Sequence, residues 1–488
     1  MDSPLTALSP KKLWQHFDSI RRVPRPSKHE EQIIAFLIDW ANSRDFKVEK
    51  DGTGNLLVTV PATKGHEGLP VTLIQNHVDM VCEQTPGRGF DFNSDPIEIE
   101  IRDGHVWAKG TTLGADNGVG MAAAMALADD ESVPHGPLEL LFTVDEETGL
   151  TGATKVDFPH LRSRRMLNLD SEEIGILYVG CAGGAQDDIE LDLETTTTTH
   201  EKENTALSIS VSGLLGGHSG LEIVAHRANA ISILARLLWS LHDEVPFALA
   251  RIEGGSAHNA IPNEANALLV IAAADKVRAE ELIGASAQAA RREFTGVETG
   301  LTIKSSPKEM PPSTLTTDDR DRLLRLLLAL PHGIYEMSAD MPGLVETSNN
   351  LATLEFDSKI EGAVARILIS SRSSVPEALA GLRARITAVT ELAAARITPG
   401  GSYPAWRPDM QSPLLALCRE EWTALTGKEP EVTAIHAGLE CGIIGEKFPG
   451  MDMISFGPEI KGAHTTRERI EIESVDLFWR FLKRIVVR

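Results

Sequence analysis

Short apolar runs alternate with longer stretches of helical period from the N-terminus to Gly183-Gly184. Glu30 to Trp40 spaces its apolar residues as a helix does, and the Ala- and Met-rich segment Asn117–Leu127 reads the same way. Asn55–Val60, Val71–Ile74, Leu138–Val144 and Met166–Leu169 are compact apolar runs of strand length. Strands interleaved with helices in this order predict an α/β fold with a parallel or mixed sheet.

The character changes after Gly183-Gly184. From about Asp187 to Ile397 the chain reads strand, helix, strand, helix. Its Ala/Leu-rich helices are expected at Asn229–Leu241 and Leu379–Ala395, and a strand-like run spans Ala363–Ser370. The five-threonine tract Thr195–Thr199 reads as an ordinary strand or surface edge. The run from Pro399 to Pro404 (PGGSYP) punctuates the chain. A helix (Pro413–Thr426), a short strand (Asp452–Phe456) and a terminal amphipathic helix (Ser474–Val487) follow. The expectation is a mixed-sheet α/β domain built from residues 1–186 and 399–488, with 187–398 inserted as an α+β domain. Such insertions are tolerated where chain ends lie close together.

A length of 488 residues and 42% hydrophobic side chains allow two or more domains with sizeable cores. The 70 acidic against 47 basic residues leave a net charge of −23, which repels nucleic acid and anionic lipid, so neither is an expected partner. No apolar run is long enough for a membrane span, and no basic-then-apolar leader opens the chain. Cys82, Cys181, Cys418 and Cys441 are far apart and form no CxxC. They read as free thiols of a reducing compartment, which places the protein in the cytoplasm.

Candidate chemistry sits in five segments. They are Asn76-His77-Val78-Asp79-Met80, Leu113 to Gly118, Val144 to Gly149, Asn168 to Ser171 and Gly462 to Thr466. His77, Glu146, Glu147, Asp170 and His464 each follow an expected strand, and Asp116 precedes an expected helix. Open α/β sheets bind ligands outside the carboxyl ends of their strands, so these residues can converge. Two imidazoles with several carboxylates suit divalent cations, zinc first and manganese or cobalt next; no cysteine joins them. His77 and Asp79, two apart on an extended segment, face the same way, which lets Asp79 hold the second imidazole nitrogen. Glu146 and Glu147 in a turn can point differently, one to metal and one to water. Without cations, such clustering is costly through like-charge repulsion. Each motif alone is weak; the ordered combination is specific.

That combination resembles the di-zinc peptidase family of glutamate carboxypeptidase, aminoacylases and cytosolic dipeptidases. The segments that carry it are NHVDMV, KGTTLGADNGVG, TVDEETGLTGA, NLDSEE, GLLGGHSG, HNAIPNEA, HAGLECG and FGPEIKGAHTTRE, and they span nearly the whole chain. The resemblance implies a zinc-peptidase catalytic domain with an inserted lid, and a homodimer. It implies two metal ions bridged by Asp116, with His77 and Asp170 completing one site and Glu147 and His464 the other. Glu146 is then the general base and Asp79 orients His77. His218 supplies an oxyanion donor, with Ser219 read as the N-cap of a following helix. Asn259 and Arg372 bind the substrate's carboxylate or carbonyl, and Glu440 its free amine. The implied substrates are small peptides, specifically unblocked L-dipeptides, Xaa-His among them.

Three rival readings are weaker. Gly118 to Ala123 fits GxGxxA, but it follows Asp116-Asn117 instead of a strand, so the dinucleotide context is missing. A non-catalytic metal binder has no use for Glu146. An N-acyl amino acid deacylase or carboxypeptidase on the same scaffold is the nearest alternative, and the long insertion and the GADNGVG and GLEC segments favour the dipeptidase.

Overall fold

The structure, a computed structural model, describes residues 3–198, 203–358 and 363–488. They divide into two compact units. The first comprises Met1–Cys181, Trp406–Ala434 and Leu439–Arg488, and the second Ala182–Ala405 and Ile435–Gly438.

The first unit is built on an eight-stranded mixed sheet. Its order is Lys47–Lys50, Leu56–Val60, Leu138–Thr143, Thr72–His77, Arg165–Asn168, Asp452–Ser455, Ile176–Cys181, Glu431–Ile435. The four strands from Leu138–Thr143 to Asp452–Ser455 run parallel. Thr72–His77 and Leu138–Thr143 are buried at every residue, as strands covered on both faces are. The C-terminal segment therefore supplies a central strand of a sheet begun by the N-terminal segment. Helix Ala115–Asp129 is almost wholly buried. Helix Ile472–Val486 is amphipathic and buries Val475, Phe478, Phe481, Leu482 and Ile485. A small antiparallel sheet joins Ile99–Arg102 and His105–Ala108 to the hairpin Ile460–Lys461 and Arg469–Glu471. Strand Glu431–Ile435 and helix Glu440–Lys447 went unread in the sequence, because each is short and mixes polar with apolar positions.

The second unit is an antiparallel sheet. Its strands in order are Thr302–Lys308, Asn204–Ser212, Ala265–Ala272, Phe247–Gly254, Val345–Asp357, Val364–Ser373, Gly183–Asp192 and Arg396–Tyr403, with Gly333–Met337 also paired to Val345–Asp357. Alternate residues such as Leu207, Ile209 and Val211, or Ala365, Ile367 and Ile369, enter one core. Helices Ala230–His242, Lys276–Glu293, Thr317–Ala329 and Pro376–Leu392 contribute to the same core.

The contact-defined junctions fall at Cys181–Ala182 and Ala405–Trp406, not at the 186/187 and 398/399 boundaries read from composition. The reason is that Gly183–Asp192 pairs along its length with Arg396–Tyr403, so both strands belong to the second unit's sheet. The Pro-Gly-Gly run is no linker. It forms a register shift between Pro399 and Ser402 in an edge strand, where proline is tolerated. Thr195–Thr197 is an exposed strand paired with Ser313–Leu315; Thr199 lies outside the described residues. No helix among the described residues is long and apolar enough to cross a membrane.

Leu234 lies on the buried face of helix Ala230–His242 and is 0% exposed. Leu234→Ala is expected to destabilise the second unit by roughly 2–5 kcal/mol, read from its urea midpoint.

Candidate functional site

Leu138–Thr143, Thr72–His77 and Arg165–Asn168 are parallel neighbours, so their carboxyl ends open on one edge of the sheet. His77 is the last residue of its strand, one step earlier than the sequence placed it. Glu146 and Glu147 open a short helical turn, and Asp170 lies two residues past its strand. Asp79 ties the first two elements together. One of its oxygens stands 3.3 Å from His77 Nδ1, and its carboxylate accepts the backbone N–H groups of Glu146 (3.1 Å) and Glu147 (3.2 Å). Asp145, at φ 51°, precedes the turn, and its N–H donates to Glu30 Oε1 at 3.0 Å.

Asp116 sits inside the first turn of helix Ala115–Asp129, where its ψ of 117° breaks the helical path. Sequence reasoning missed what holds it there. Glu468, buried in the hairpin loop that also carries His464, accepts the N–H groups of Leu113 (2.7 Å), Gly114 (3.0 Å), Ala115 (2.7 Å) and Asp116 (3.4 Å). Arg25, 2% exposed, donates to the carbonyls of Val78, Asp79 and Gly114 and so links the Asp79 and Asp116 loops. Only the Thr-Thr-Arg-Glu run near His464 hinted at Glu468. Gly120 has a packing role: a Cβ there would stand 2.0 Å from Asn117 Oδ1 and 2.2 Å from Asn76 Oδ1. This accounts for the glycine pattern that resembled a nucleotide fingerprint.

These elements bring His77, Asp116, Asp170, Glu147 and His464 together. His77 Nε2 lies 2.9 Å from Asp116 Oδ1 and 3.1 Å from Asp170 Oδ1. His464 Nε2 lies 3.0 Å from Asp116 Oδ2 and 3.1 Å from Glu147 Oε2. The ligand atoms of His77–Asp116–Asp170 fall within 4.8 Å of one another, as do those of Asp116–Glu147–His464. Asp116 belongs to both groups. Glu147 Oε1 is buried without a hydrogen-bond partner, and nitrogen and carboxylate donors suit a borderline divalent ion. The residues therefore fit a pair of such cations. Glu146 also groups with His77 and Glu147.

The electrostatics agree with cation binding. Burial opposes charge on His77, yet Asp170, Asp116 and Asp79 outweigh it and push the imidazole well above its ordinary pKa. Hydrogen bonds that its ring donates to the carboxylates of Asp116 and Glu147 raise His464 to about 11. Burial, with repulsion from Asp116 and Glu147, raises Asp170 to about 6. Burial and the charges of Asp170 and Glu147 raise Glu146 well above the carboxylate range. Crowded acids that hold protons this tightly are relieved by cations.

Glu440 is enclosed. It is 0% exposed, and its Oε2 accepts from Gln75 Nε2 (2.5 Å) and Thr143 Oγ1 (2.7 Å). Burial raises its carboxyl to about 7. It braces two strands next to the site, and its Oε1 is buried without a hydrogen-bond partner.

The second unit holds a separate polar cluster. His218 Nδ1 accepts the N–H groups of Gly220 (3.2 Å) and Leu221 (3.1 Å), which leaves the ring proton on Nε2. Burial and the charge of Arg372 lower His218 to about 4. Ser219 does not cap the long helix, as the sequence had implied. The cap is Asn229, whose side chain accepts from Ser232, because a loop and a 3₁₀ turn intervene. Ser219 N–H donates instead to the Asn259 carbonyl at 2.8 Å; the Asn259 side chain is exposed. Arg372, 6% exposed, donates from Nη1 to the Tyr403 hydroxyl at 2.5 Å and has no partner at Nε. Two unread residues join it. His436 Nε2 lies 2.7 Å from Ser348 Oγ while its Nδ1 lacks a partner, and Asn350 Oδ1 lacks one as well. The HAGLECG segment had drawn attention to this region but gave no reason to single out His436.

Residues 73–488 match the model described as peptidase family M20/M25/M40. The chain is 38% identical over 489 residues to the cytosol non-specific dipeptidase of Escherichia coli (strain K12), covering 99% of each. The crystal structure of an aminoacylhistidine dipeptidase from Vibrio alginolyticus superposes with a TM-score of 0.90 at 36% identity, covering 99% of this chain and 98% of that one. An aminopeptidase PepT from Bacillus cereus shares the fold at a TM-score of 0.57 and 18% identity, covering 98% of both chains.

Glu468→Gln turns an acceptor oxygen into a donor facing backbone N–H groups. It is expected to cost about 1–3 kcal/mol and to reduce metal retained after dialysis, measured by elemental analysis; wild-type retention would exclude the cradle role. His436 is pushed down to about 3 and His332 to about 4, in both cases mainly by burial. Since both fold neutral, the unfolded chain binds protons that the folded chain does not. Their contribution is fully present above about pH 6.5 and is lost as pH falls toward those values. His332→Asn is expected to flatten the acid limb of a urea-midpoint profile.

Proposed function

The chain belongs to peptidase family M20/M25/M40, and from that premise we propose that it is a dipeptidase using two divalent metal ions, zinc first among them. The observation that carries this reading is Asp116, shared by two three-ligand groups with Glu146 alongside. His77 and Asp170 would hold one ion with Asp116, and Glu147 and His464 the other. When bound, such ions supply electrophilic activation of the scissile carbonyl and of water.

The chain's own residues supply the rest. Glu146 has a high proton affinity and its backbone is fixed by Asp79. It takes the proton of the attacking water and passes it to the leaving amine. Asp79 keeps the His77 ring in place. His218, neutral with its proton on Nε2, donates to the carbonyl oxygen as negative charge develops there. Arg372 and Asn259 bind the substrate's terminal carboxylate. The unpartnered Nε of Arg372 supports that assignment, since a guanidinium fork matches a carboxylate. The named activities of the Escherichia coli and Vibrio alginolyticus relatives support unblocked L-dipeptides, Xaa-His included, as substrates. We further assign a homodimer, which sedimentation equilibrium tests.

Glu146→Ala is expected to keep its metal and lower kcat by roughly 10²–10⁴-fold; full activity would remove the base assignment. His218→Ala is expected to lower kcat by roughly 10²–10³-fold with little change in KM. Chelation should abolish hydrolysis, and zinc, cobalt or manganese should restore it. A substrate panel should show Xaa-His and other dipeptides cleaved, with N-acetyl amino acids left intact; cleavage confined to N-acetyl compounds would overturn the dipeptidase reading.

A further inference from the structure

The first unit's sheet has a second, opposite edge. Thr72, Arg165 and Asp452 are the first residues of three adjacent parallel strands, whose far ends face the metal ligands. At these amino ends lies a hollow of about 500 Å³ that includes Arg162, Arg164, Arg165 and Asp452. Its remaining wall is apolar, with Val71, Leu414 and Leu417 prominent.

The charges here are poorly matched by the protein itself. Among the described residues, exposed Arg164 donates to the carbonyls of Leu161 (3.4 Å) and Ser163 (2.7 Å) alone. Among the described residues, Arg165 donates to Thr72 Oγ1 alone, at 3.0 Å from Nε. Among the described residues, neither guanidinium has a carboxylate within 4.0 Å. Arg162 does have Glu139, at 3.6 Å. Asp452 is occupied by Ser412 Oγ (2.5 Å) and the Leu414 N–H (3.0 Å). Asp452 is the acid whose charge favours Arg165, and Arg164 is exposed, so both guanidinium groups border the hollow with room for a further anion. Burial weakens the protonation of Arg165, so its charge gains from an anion.

We propose that this hollow is a second ligand site, separate from the metal centre, which binds a small organic monocarboxylate bearing an aliphatic group. Arg164 and Arg165 take the carboxylate, for which the guanidinium fork is suited. The aliphatic group lies on Leu414, Leu417 and Val71. The volume falls within the range of small-molecule sites, and the apolar wall with few polar anchors matches their usual make-up. Asp452 disfavours dianions such as phosphate. The same chemistry is shared by a free aliphatic amino acid and by a simple aliphatic acid.

Titration calorimetry on the metal-loaded protein separates these sources, with L-leucine, 4-methylpentanoate and, as a carboxylate-free control, 3-methylbutylamine. Carboxylates also ligate metals, so Arg164→Gln, Arg165→Gln and Leu417→Glu are titrated in parallel. Leu417→Glu places a negative charge in the hollow without removing a hydrogen bond, and retained dipeptide turnover checks the folding of each variant. The expected result is saturable binding of at least one acid, weakened about tenfold or more by each variant and by added salt, with no binding of the amine. Tighter binding of leucine assigns the site to amino acids, and tighter binding of 4-methylpentanoate assigns it to simple acids. Absence of saturable binding, equal binding by wild type and variants, or equal binding of the amine would overturn the proposal.

Discussion

Asp116 faces one imidazole through each of its oxygens, and the architecture of the first unit serves that contact. Buried charges are costly unless paired and hydrogen-bonded. The five metal-ligand candidates bring three carboxylates together, so the chain must bring them close and hold them there. It does so with backbone. Glu468 gathers four successive N–H groups around the Asp116 loop, Asp79 gathers two at the Glu146 turn, and Arg25 takes carbonyls from both neighbouring loops. The scaffold thus spends buried charged side chains on positioning loops, and the ligands themselves stay available to cations.

Much of this was legible in the sequence because it follows from periodicity. The runs ending near His77, Thr143 and Asn168 are short and rich in apolar residues, so the strands and the residues just past their ends could be read together. The helix over Pro413–Thr426 was legible because Ser412 caps it and Gly427 ends it. Other features depended on contacts between distant residues. Glu468 looks like any charged loop residue until its partners at Leu113 to Asp116 are known. Glu440 gives no hint in the GLEC segment of its partners Gln75 and Thr143, hundreds of residues earlier in the chain. The PGGSYP run has the composition of a linker, but pairing with Gly183–Asp192 makes it a bulged edge strand.

The two polar clusters differ in their electrical state. In the first unit, His77 and His464 are surrounded by acids and favour the charged form. In the second unit, half-buried His218 and buried His436 lie near Arg372 and stay neutral. The same residue type therefore serves two purposes. An imidazole among carboxylates is held in its charged form, whereas an imidazole beside a guanidinium is held neutral with a single N–H.

Strand Asp452–Ser455 lies between Arg165–Asn168 and Ile176–Cys181, and His464 and Glu468 come later still. During synthesis, then, the first 181 residues leave the ribosome without the strand that fills their sheet or the last ligand of the cluster. The nascent chain would carry an incomplete set of candidate ligands until the segment with His464 and Glu468 has emerged, so the cluster could close only after that hairpin is made.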